Sequence, residues 1–259
     1  MPRSPAQALR RRRLLGETLA GRRRVSVAAA ARRFGVAPMT IRRDLRALEE
    51  TGLAVRCYGG AVAAQRITFE FAFDQRRRKR LAEKKRIGDK AARQVRTGET
   101  VFLDTGTTTL QVARALAGSD VSCRVATSSL LIASELWANE RIELILLGGR
   151  VRKGSPDLVG PGTEVMLERL SADVAFLGSD GIDPARGSFA MDIEAAHVAE
   201  RMAAAARRVV VVADSSKLGA TSAARYLRTH DMDELISDRA ADGSAVAALR
   251  RRGVKVTLV

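Results

Sequence analysis

Apolar positions follow two rhythms along the chain, and the change falls near residue 100. Before it they recur at helical spacing. Leu9, Leu14, Leu15 and Leu19 mark a helix over residues 5–20, with Arg10 to Arg13 mostly on the other side and Gly21 as its stop. Val25-Ser26-Val27 reads as a short extended step, and Ser26 is placed to cap an Ala-rich helix from Val27 to Phe34. Gly35-Val36-Ala37 reads as a tight turn. Pro38 suits the first position of a further helix, which continues to Glu50 and ends before Gly52. On that helix Ile41, Leu45 and Leu48 fall within about 60° of one another and form one apolar stripe, while Met39, Arg42, Arg43 and Arg46 gather opposite.

A short helix, a Gly-containing turn and a second helix with one buried and one Arg-rich face form a helix-turn-helix pattern. The second helix would enter the major groove of duplex DNA, where Arg reads guanine O6 and N7 or neutralises phosphates. Thr40, Arg42, Arg43 and Arg46 are the candidate contacts. Leu53 to Arg56 and Ala61 to Ala63 can pair as a hairpin around Cys57-Tyr58-Gly59-Gly60, the wing of a winged helix, with Arg56 or Tyr58 near the sugar-phosphate backbone. Residues 64–82 form a connector containing Arg76-Arg77-Arg78-Lys79-Arg80. This run is either a second phosphate contact or a solvated linker, the latter being favoured, and a helix from about Ala82 to Arg96 follows.

From Thr100 short apolar runs alternate with helix-compatible segments: Val101 to Leu103, Val125 to Thr127, Ile142 to Leu147, Val174 to Leu177, Val209 to Val212 and Glu234 to Ile236. That alternation predicts an α/β domain with a mostly parallel sheet covered on both faces, where ligands gather at the carboxyl ends of the strands. Polar clusters stand at those ends. Asp104-Thr105-Gly106-Thr107-Thr108-Thr109 precedes a helix and resembles a phosphate cradle, offering backbone N–H groups, hydroxyls and a helix dipole. Thr127-Ser128-Ser129, Gly148-Gly149-Arg150, Gly178-Ser179-Asp180-Gly181 and Asp214-Ser215-Ser216-Lys217 follow the later strands. Each alone is compatible with an ordinary turn. Five on one edge favour a small phosphorylated polyol as ligand.

Charge sharpens the division. The 259 residues carry 45 Lys+Arg and 29 Asp+Glu, a formal net charge of +16, yet residues 1–95 alone hold +17 and the remainder −1. A polyanion-binding module joined to a nearly neutral globular domain fits this asymmetry. No apolar stretch approaches the roughly 20 residues of a membrane span, and no secretory signal precedes the first helix, so a cytoplasmic protein without membrane partners is expected. Cys57 and Cys123 stand alone without metal-ligand spacing, and neither a metal nor another cofactor is expected.

The run Val25 to Ala61, with Thr40-Ile41-Arg42-Arg43-Asp44-Leu45 followed by Gly59-Gly60-Ala61, resembles the DNA-binding domain of the DeoR family of bacterial transcriptional regulators. The later half resembles the sensor domain of that family, related in fold to sugar-phosphate isomerases and deaminases. Asp104 to Thr108, Gly148-Gly149, Asp173 to Phe176, Gly181-Ile182-Asp183 and Asp214 to Gly219 stand at its motifs.

The resemblance implies an α+β multidomain chain. A winged helix-turn-helix domain would span residues 1–64, a basic linker 65–81, and a sugar-phosphate-isomerase-like α/β effector domain 82–259. It implies a repressor of carbohydrate catabolism genes, acting on a double-stranded DNA operator as a homo-oligomer and modulated by a phosphorylated sugar. Asp104 would hold ligand hydroxyls and Thr107, Thr108 and Lys217 phosphate, with Gly106, Thr127, Gly149, Asp180 and Asp214 completing the site.

Three positions depart from the family pattern. Ala37 replaces a capping Ser, Ser128 replaces an Asn, and Ala195 to Arg201 replaces a Glu-Ala…Lys-Arg segment unless Glu194 serves. His197 in that segment reads as an ordinary surface or core residue. Two other function classes remain open at this point. One is a sugar-phosphate isomerase or deaminase using Asp104 or Asp180 as general base, and the other is an architectural DNA binder whose sensor has lost its ligand.

Overall fold

A computed structural model of the chain describes residues 5–22, 24–50, 53–63, 73, 76–152 and 155–259. Two compact units emerge, residues 1–75 with 153–155 and residues 76–152 with 156–259. Among the described residues no helix is long and apolar enough to cross a membrane.

The first unit contains α1 (Pro5–Arg22), β1 (Arg24–Ser26), α2 (Val27–Phe34), α3 (Pro38–Glu50), β2 (Ala54–Cys57) and β3 (Gly60–Ala63). The Ser26 hydroxyl accepts from Ala29 N at 3.5 Å and so caps α2. Ala37 supplies no side-chain cap, and its carbonyl instead accepts from Thr40 N at 2.9 Å to start the first turn of α3. Leu15, Leu19, Val25, Val27, Ile41, Leu45 and Leu48 are buried together, and small Ala30 and Ala31 let α2 approach.

Helix α1 differs from expectation in two ways. It continues past Gly21 to Arg22, since glycine keeps its N–H donor and opposes a helix only by about 1 kcal/mol. Its buried face is also turned, because Leu9 is 72% exposed while Arg11 is buried over Asp44. The expected helix stop at Gly52 and most of the expected linker lie outside the described residues.

β1, β3 and β2 form an antiparallel sheet in that order, with Cys57 opposite Gly60 and a two-residue turn of Tyr58 and Gly59. Only glycine fits at position 60, where a Cβ would lie 2.0 Å from Val25 O.

The second unit contains α4 (Leu81–Ala92), β4 (Thr100–Leu103), α5 (Thr109–Ala117), β5 (Cys123–Thr127), α6 (Leu130–Leu136), β6 (Ile142–Leu146), β7 (Arg150–Val151), β8 (Leu158–Val159) and α7 (Pro161–Leu167). It continues with β9 (Val174–Gly178), β10 (Gly181–Asp183), β11 (Gly187–Ala190), α8 (Ile193–Ala204), β12 (Val209–Val212), β13 (Ala224–Leu227), β14 (Glu234–Ser237), α9 (Gly243–Arg251) and β15 (Lys255–Leu258). The expected helix over 82–96 closes at Ala92, and the chain turns through Arg93.

Seven strands form a parallel sheet in the order β15-β14-β12-β9-β4-β5-β6. Alternate residues on each strand feed opposite faces. Phe102, Ala175, Leu177, Val211 and Leu235 pack with Ala199 and Met202 of α8 and Leu249 of α9. Val101, Leu103, Phe176, Val210 and Ile236 pack with Ile87 of α4, Leu110 and Leu116 of α5 and Ile132 of α6. Coverage on both faces explains why these strands read as continuous apolar runs.

β15, the β7–β8 pair and the antiparallel sheet β10-β11-β13 were not anticipated from the pattern. The chain steps outward from β4 to β5 and β6, then returns to β9 on the other side of β4 and proceeds to β12, β14 and β15. This reversal makes the carboxyl ends of β4 and β9 the topological switch point, the crevice at which open α/β sheets generally bind ligands.

Candidate functional site

The first unit presents one basic helix face. Arg42, Arg43 and Arg46 of α3 are exposed beside exposed Met39, Thr40 is half-buried, and Ile41, Leu45 and Leu48 anchor the other side. None of these three arginines makes an ion pair with a described residue. Asp44, on the same helix, is buried and accepts from Arg11 Nε at 2.5 Å and Arg12 Nε at 3.1 Å. α1 is thereby held across α3 while the outward arginines stay available. Tyr58 is fully exposed at the tip of the wing. Arg56 is partly engaged, since its N–H donates to Glu49 Oε1 at 3.2 Å and its guanidinium lies 3.9 Å from Glu49 Oε2.

In the second unit several strand-end clusters stand along the carboxyl edge of the sheet. The Asp104 carboxylate, at the end of β4, accepts from Gly178 N of β9 at 3.0 Å and so bridges the two strands. A Cβ on Gly178 would stand 3.6 Å from Asp104 Oδ2. Burial raises the Asp104 pKa to about 7, partly opposed by the N–H groups of Gly178 and Thr105. Beside it the Tyr226 hydroxyl, on β13, donates to Gly178 O at 2.5 Å, and burial first and the Asp104 charge second push its pKa up.

Beyond Asp104 the loop turns at Gly106 (φ 149°), Thr107 is half-buried and Thr108 is buried without a capping bond at the start of α5. Thr105 Oγ1 is a buried polar atom without a hydrogen-bond partner.

A cationic cluster lies along the same edge. Asp180 accepts from Met191 N at 2.9 Å and has Arg76 at 3.5 Å and Lys217 at 4.0 Å. Asp214 is buried, accepts from Ser216 N at 3.2 Å, and faces Arg80 at 3.8 Å and Lys84 at 4.0 Å. Arg80 donates to Ser215 Oγ at 2.8 Å. Buried Lys84 donates to the carbonyls of Arg76 and Lys79 at 2.5 and 2.8 Å, and burial lowers its pKa against the opposing pull of Asp214. Arg76 and Arg80 therefore sit on the sheet edge of the second unit, where the sequence favoured a solvated linker. Arg76 and Arg80 belong to the basic run that the sequence offered as a second phosphate contact, whereas nothing in the local pattern distinguishes Lys84 or Tyr226.

Two expected ligand residues are placed otherwise. Thr127 is fully buried and its hydroxyl donates to Leu103 O at 2.6 Å, tying β5 to β4. Gly149 packs on the β8–α7 junction with φ 138°, where a Cβ would meet Val159 O at 2.8 Å. Ser128 is buried and its carbonyl accepts from Leu158 N at 2.9 Å, while Glu194 pairs with Arg150. His197 lies half-exposed between Glu164 at 3.3 Å and Glu200 at 3.7 Å.

A winged helix-turn-helix with an exposed basic helix face, joined to a parallel α/β unit with a cationic cluster at its strand ends, defines a DNA-binding transcriptional regulator. Residues 11–66 match the DeoR-like helix-turn-helix domain and residues 79–239 the DeoR C terminal sensor domain, so the chain belongs to the DeoR family. It is 36% identical over 231 residues to the HTH-type transcriptional regulator GlpR of Haloferax volcanii, covering 89% of this chain and 90% of that one. It is 30% identical to the glycerol-3-phosphate regulon repressor of Escherichia coli K12, covering 90% and 92%. Ribose 5 phosphate isomerase A of Neisseria gonorrhoeae superposes with a TM-score of 0.39 and 22% identity over 52% of each chain, too slight a likeness to carry an argument.

Proposed function

We propose that the protein is a repressor of carbohydrate catabolism genes, acting in the cytoplasm as a homo-oligomer whose operator affinity is set by a phosphorylated sugar. The observation that carries the reading is the switch-point crevice. Asp104 stands there with an unpartnered Thr105 hydroxyl beside it, and Arg80, Lys84 and Lys217 border the neighbouring strand ends. The resemblance to a regulator named for a glycerol-3-phosphate regulon supports the same chemistry.

In this reading Asp104 orders ligand hydroxyls, while Thr107, Thr108 and Lys217 take the phosphate, assisted by Arg80 and Lys84. Thr127 and Gly149 act by holding strand and loop in place, and Asp180 and Asp214 by orienting the cations. Residues 1–64 form the DNA-binding domain and 82–259 the effector domain, with Arg76 and Arg80 of the intervening segment serving the latter. Repression is tuned only if the ligand binds the DNA-competent and DNA-incompetent states unequally. Paired half-sites supply the operator information that one recognition helix lacks.

The test is thermal unfolding of the full chain against a panel of phosphorylated sugars and polyols, followed by operator titration with any stabilising compound. A specific ligand at about 100 times its Kd stabilises by about 2.7 kcal/mol. A stabilising compound that also changes DNA affinity, with both effects lost in Asp104→Ala, is the expected result. A panel with no stabilising member, or one whose effect survives Asp104→Ala, overturns the reading.

A further inference from the structure

Away from the crevice, the small sheet β10-β11-β13 and the end of α9 line an open concavity of about 430 Å³. It is lined by Arg186, Arg225, Arg228 and Arg252 together with Thr229 and His230. Its volume lies within the range of roughly 300–1,000 Å³ typical of small-molecule sites. The walls are built tightly. A Cβ on Gly187 would stand 1.9 Å from Leu227 O, so the β10–β11 turn rests directly on the end of β13. Thr229 Oγ1 donates to Pro184 O at 3.0 Å and closes the same corner.

What the cavity lacks is anionic compensation. Asp183, in the adjoining turn, is occupied by the N–H groups of Ala185 and Arg186 at 2.8 and 3.0 Å. Asp231 lies 3.4 Å from His230. None of the four arginines makes an ion pair with a described carboxylate. Arg186 stacks over the Phe189 ring at 5.1 Å, and Arg252 donates to Ala248 O at 3.2 Å. Elsewhere in the unit Arg114, Arg124 and Arg152 are each matched by an acid. Four exposed arginines line this one concavity, and a bound anion offsets the repulsion among them.

We propose that this cavity is a binding site for a small multivalent anion, carrying two or more phosphate or carboxylate groups. Each guanidinium presents a planar fork that matches such groups with paired charge-assisted hydrogen bonds, and four forks exceed what one phosphate can satisfy. A concavity of this size suits one small molecule, whereas duplex phosphates call for an extended basic track. The site is separate from the crevice: β10 leaves Asp180 at one end and delivers Arg186 beyond the other. The proposal does not depend on the identity of the ligand there.

The experiment is calorimetric titration of the full chain with inorganic tripolyphosphate at fixed ionic strength. Arg225→Gln/Arg228→Gln is compared with Arg124→Gln/Arg141→Gln, which removes the same charge from exposed surface. Saturable binding that weakens roughly ten- to hundredfold in the first pair and persists in the second is expected. Arg252→Gln, on a different element, should weaken it in the same direction. Unsaturable heat, equal loss in both pairs, or unchanged binding in the first pair overturns the proposal. So does a matching loss of affinity for random duplex DNA in the first pair, which would make the cavity a nucleic-acid contact.

Discussion

Asp44 and Arg11 form a buried ion pair, Nε to Oδ2 at 2.5 Å, on the helix whose opposite face carries Arg42, Arg43 and Arg46. The Asp44 side chain is 3% exposed and that of Arg11 10%, so neither charge has water to fall back on. Removing one partner of such a pair costs about 3–5 kcal/mol, because the other charge is left buried and alone. Asp44→Ala is expected to lower the stability of the DNA-binding unit by about that amount in denaturant titration, and DNA affinity with it. Arg11→Met/Asp44→Leu should recover much of the stability. A loss below about 1 kcal/mol would mean that the pair behaves as a solvated one.

The wing depends on the absence of a side chain at residue 60. Gly60→Ala drives a methyl onto Val25 O, where a Cβ would stand at 2.0 Å from backbone that has no flexible end to move. Overpacking of this kind costs about 1–3 kcal/mol. Thermal unfolding should report that loss, together with weaker DNA binding, whereas a variant as stable as the parent would show that β3 and β1 can separate freely.

Asp104 makes folding pH-dependent in a direction opposite to that of most carboxylates. Its folded pKa, raised to about 7 by burial, lies above its unfolded value of 3.8. The folded state therefore holds the proton more tightly, and the stabilisation present below about pH 4 is lost as pH rises through 7. At roughly 1.4 kcal/mol per pKa unit the swing is at most about 4 kcal/mol. Asp104→Asn cannot ionise, so its stability relative to the parent should rise between pH 4 and 7 and level off above. A pH-independent difference would place the Asp104 carboxyl in a solvated setting.

Lys84 joins the Arg76–Arg80 segment to the sheet edge through two carbonyls and its approach to Asp214. Lys84→Met keeps the length of the side chain and removes the donor. It is expected to weaken any sugar phosphate found in the screen at least tenfold, with charge-assisted bonds contributing about 1.5–3 kcal/mol each. Tyr226→Phe, which loses the hydroxyl and its bond to Gly178 O, should cost about 1 kcal/mol of stability. Equal ligand affinity in Lys84→Met would remove Lys84 from the site.

The recognition helix and six parallel strands were legible because their signals are local. Ile41, Leu45 and Leu48 repeat at helical spacing, and Val209 to Val212 is an apolar run that only a sheet covered on both faces explains. β15 escaped because Lys255 to Leu258 mixes charge and hydroxyl with two apolar residues at a sheet edge. Lys84 and Arg11 escaped for a different reason. Each sits among neighbouring cations that are exposed, and what buries it is a carboxylate far along the chain, Asp214 or Asp44. Thr127 shows the converse: its strand-end hydroxyl has the pattern of a ligand contact, yet the neighbouring strand consumes it.

The most direct test is a titration at constant salt, with a duplex selected from a random pool by the full chain and compared with unrelated duplex. Arg42→Ala and Arg43→Ala are the variants, since both side chains leave α3 on its exposed face. Loss of about 1–3 kcal/mol per base contact on the selected duplex, with a reduced ratio to unrelated DNA, is expected. Unchanged affinity and an unchanged ratio in both variants would contradict α3 as the DNA-reading element.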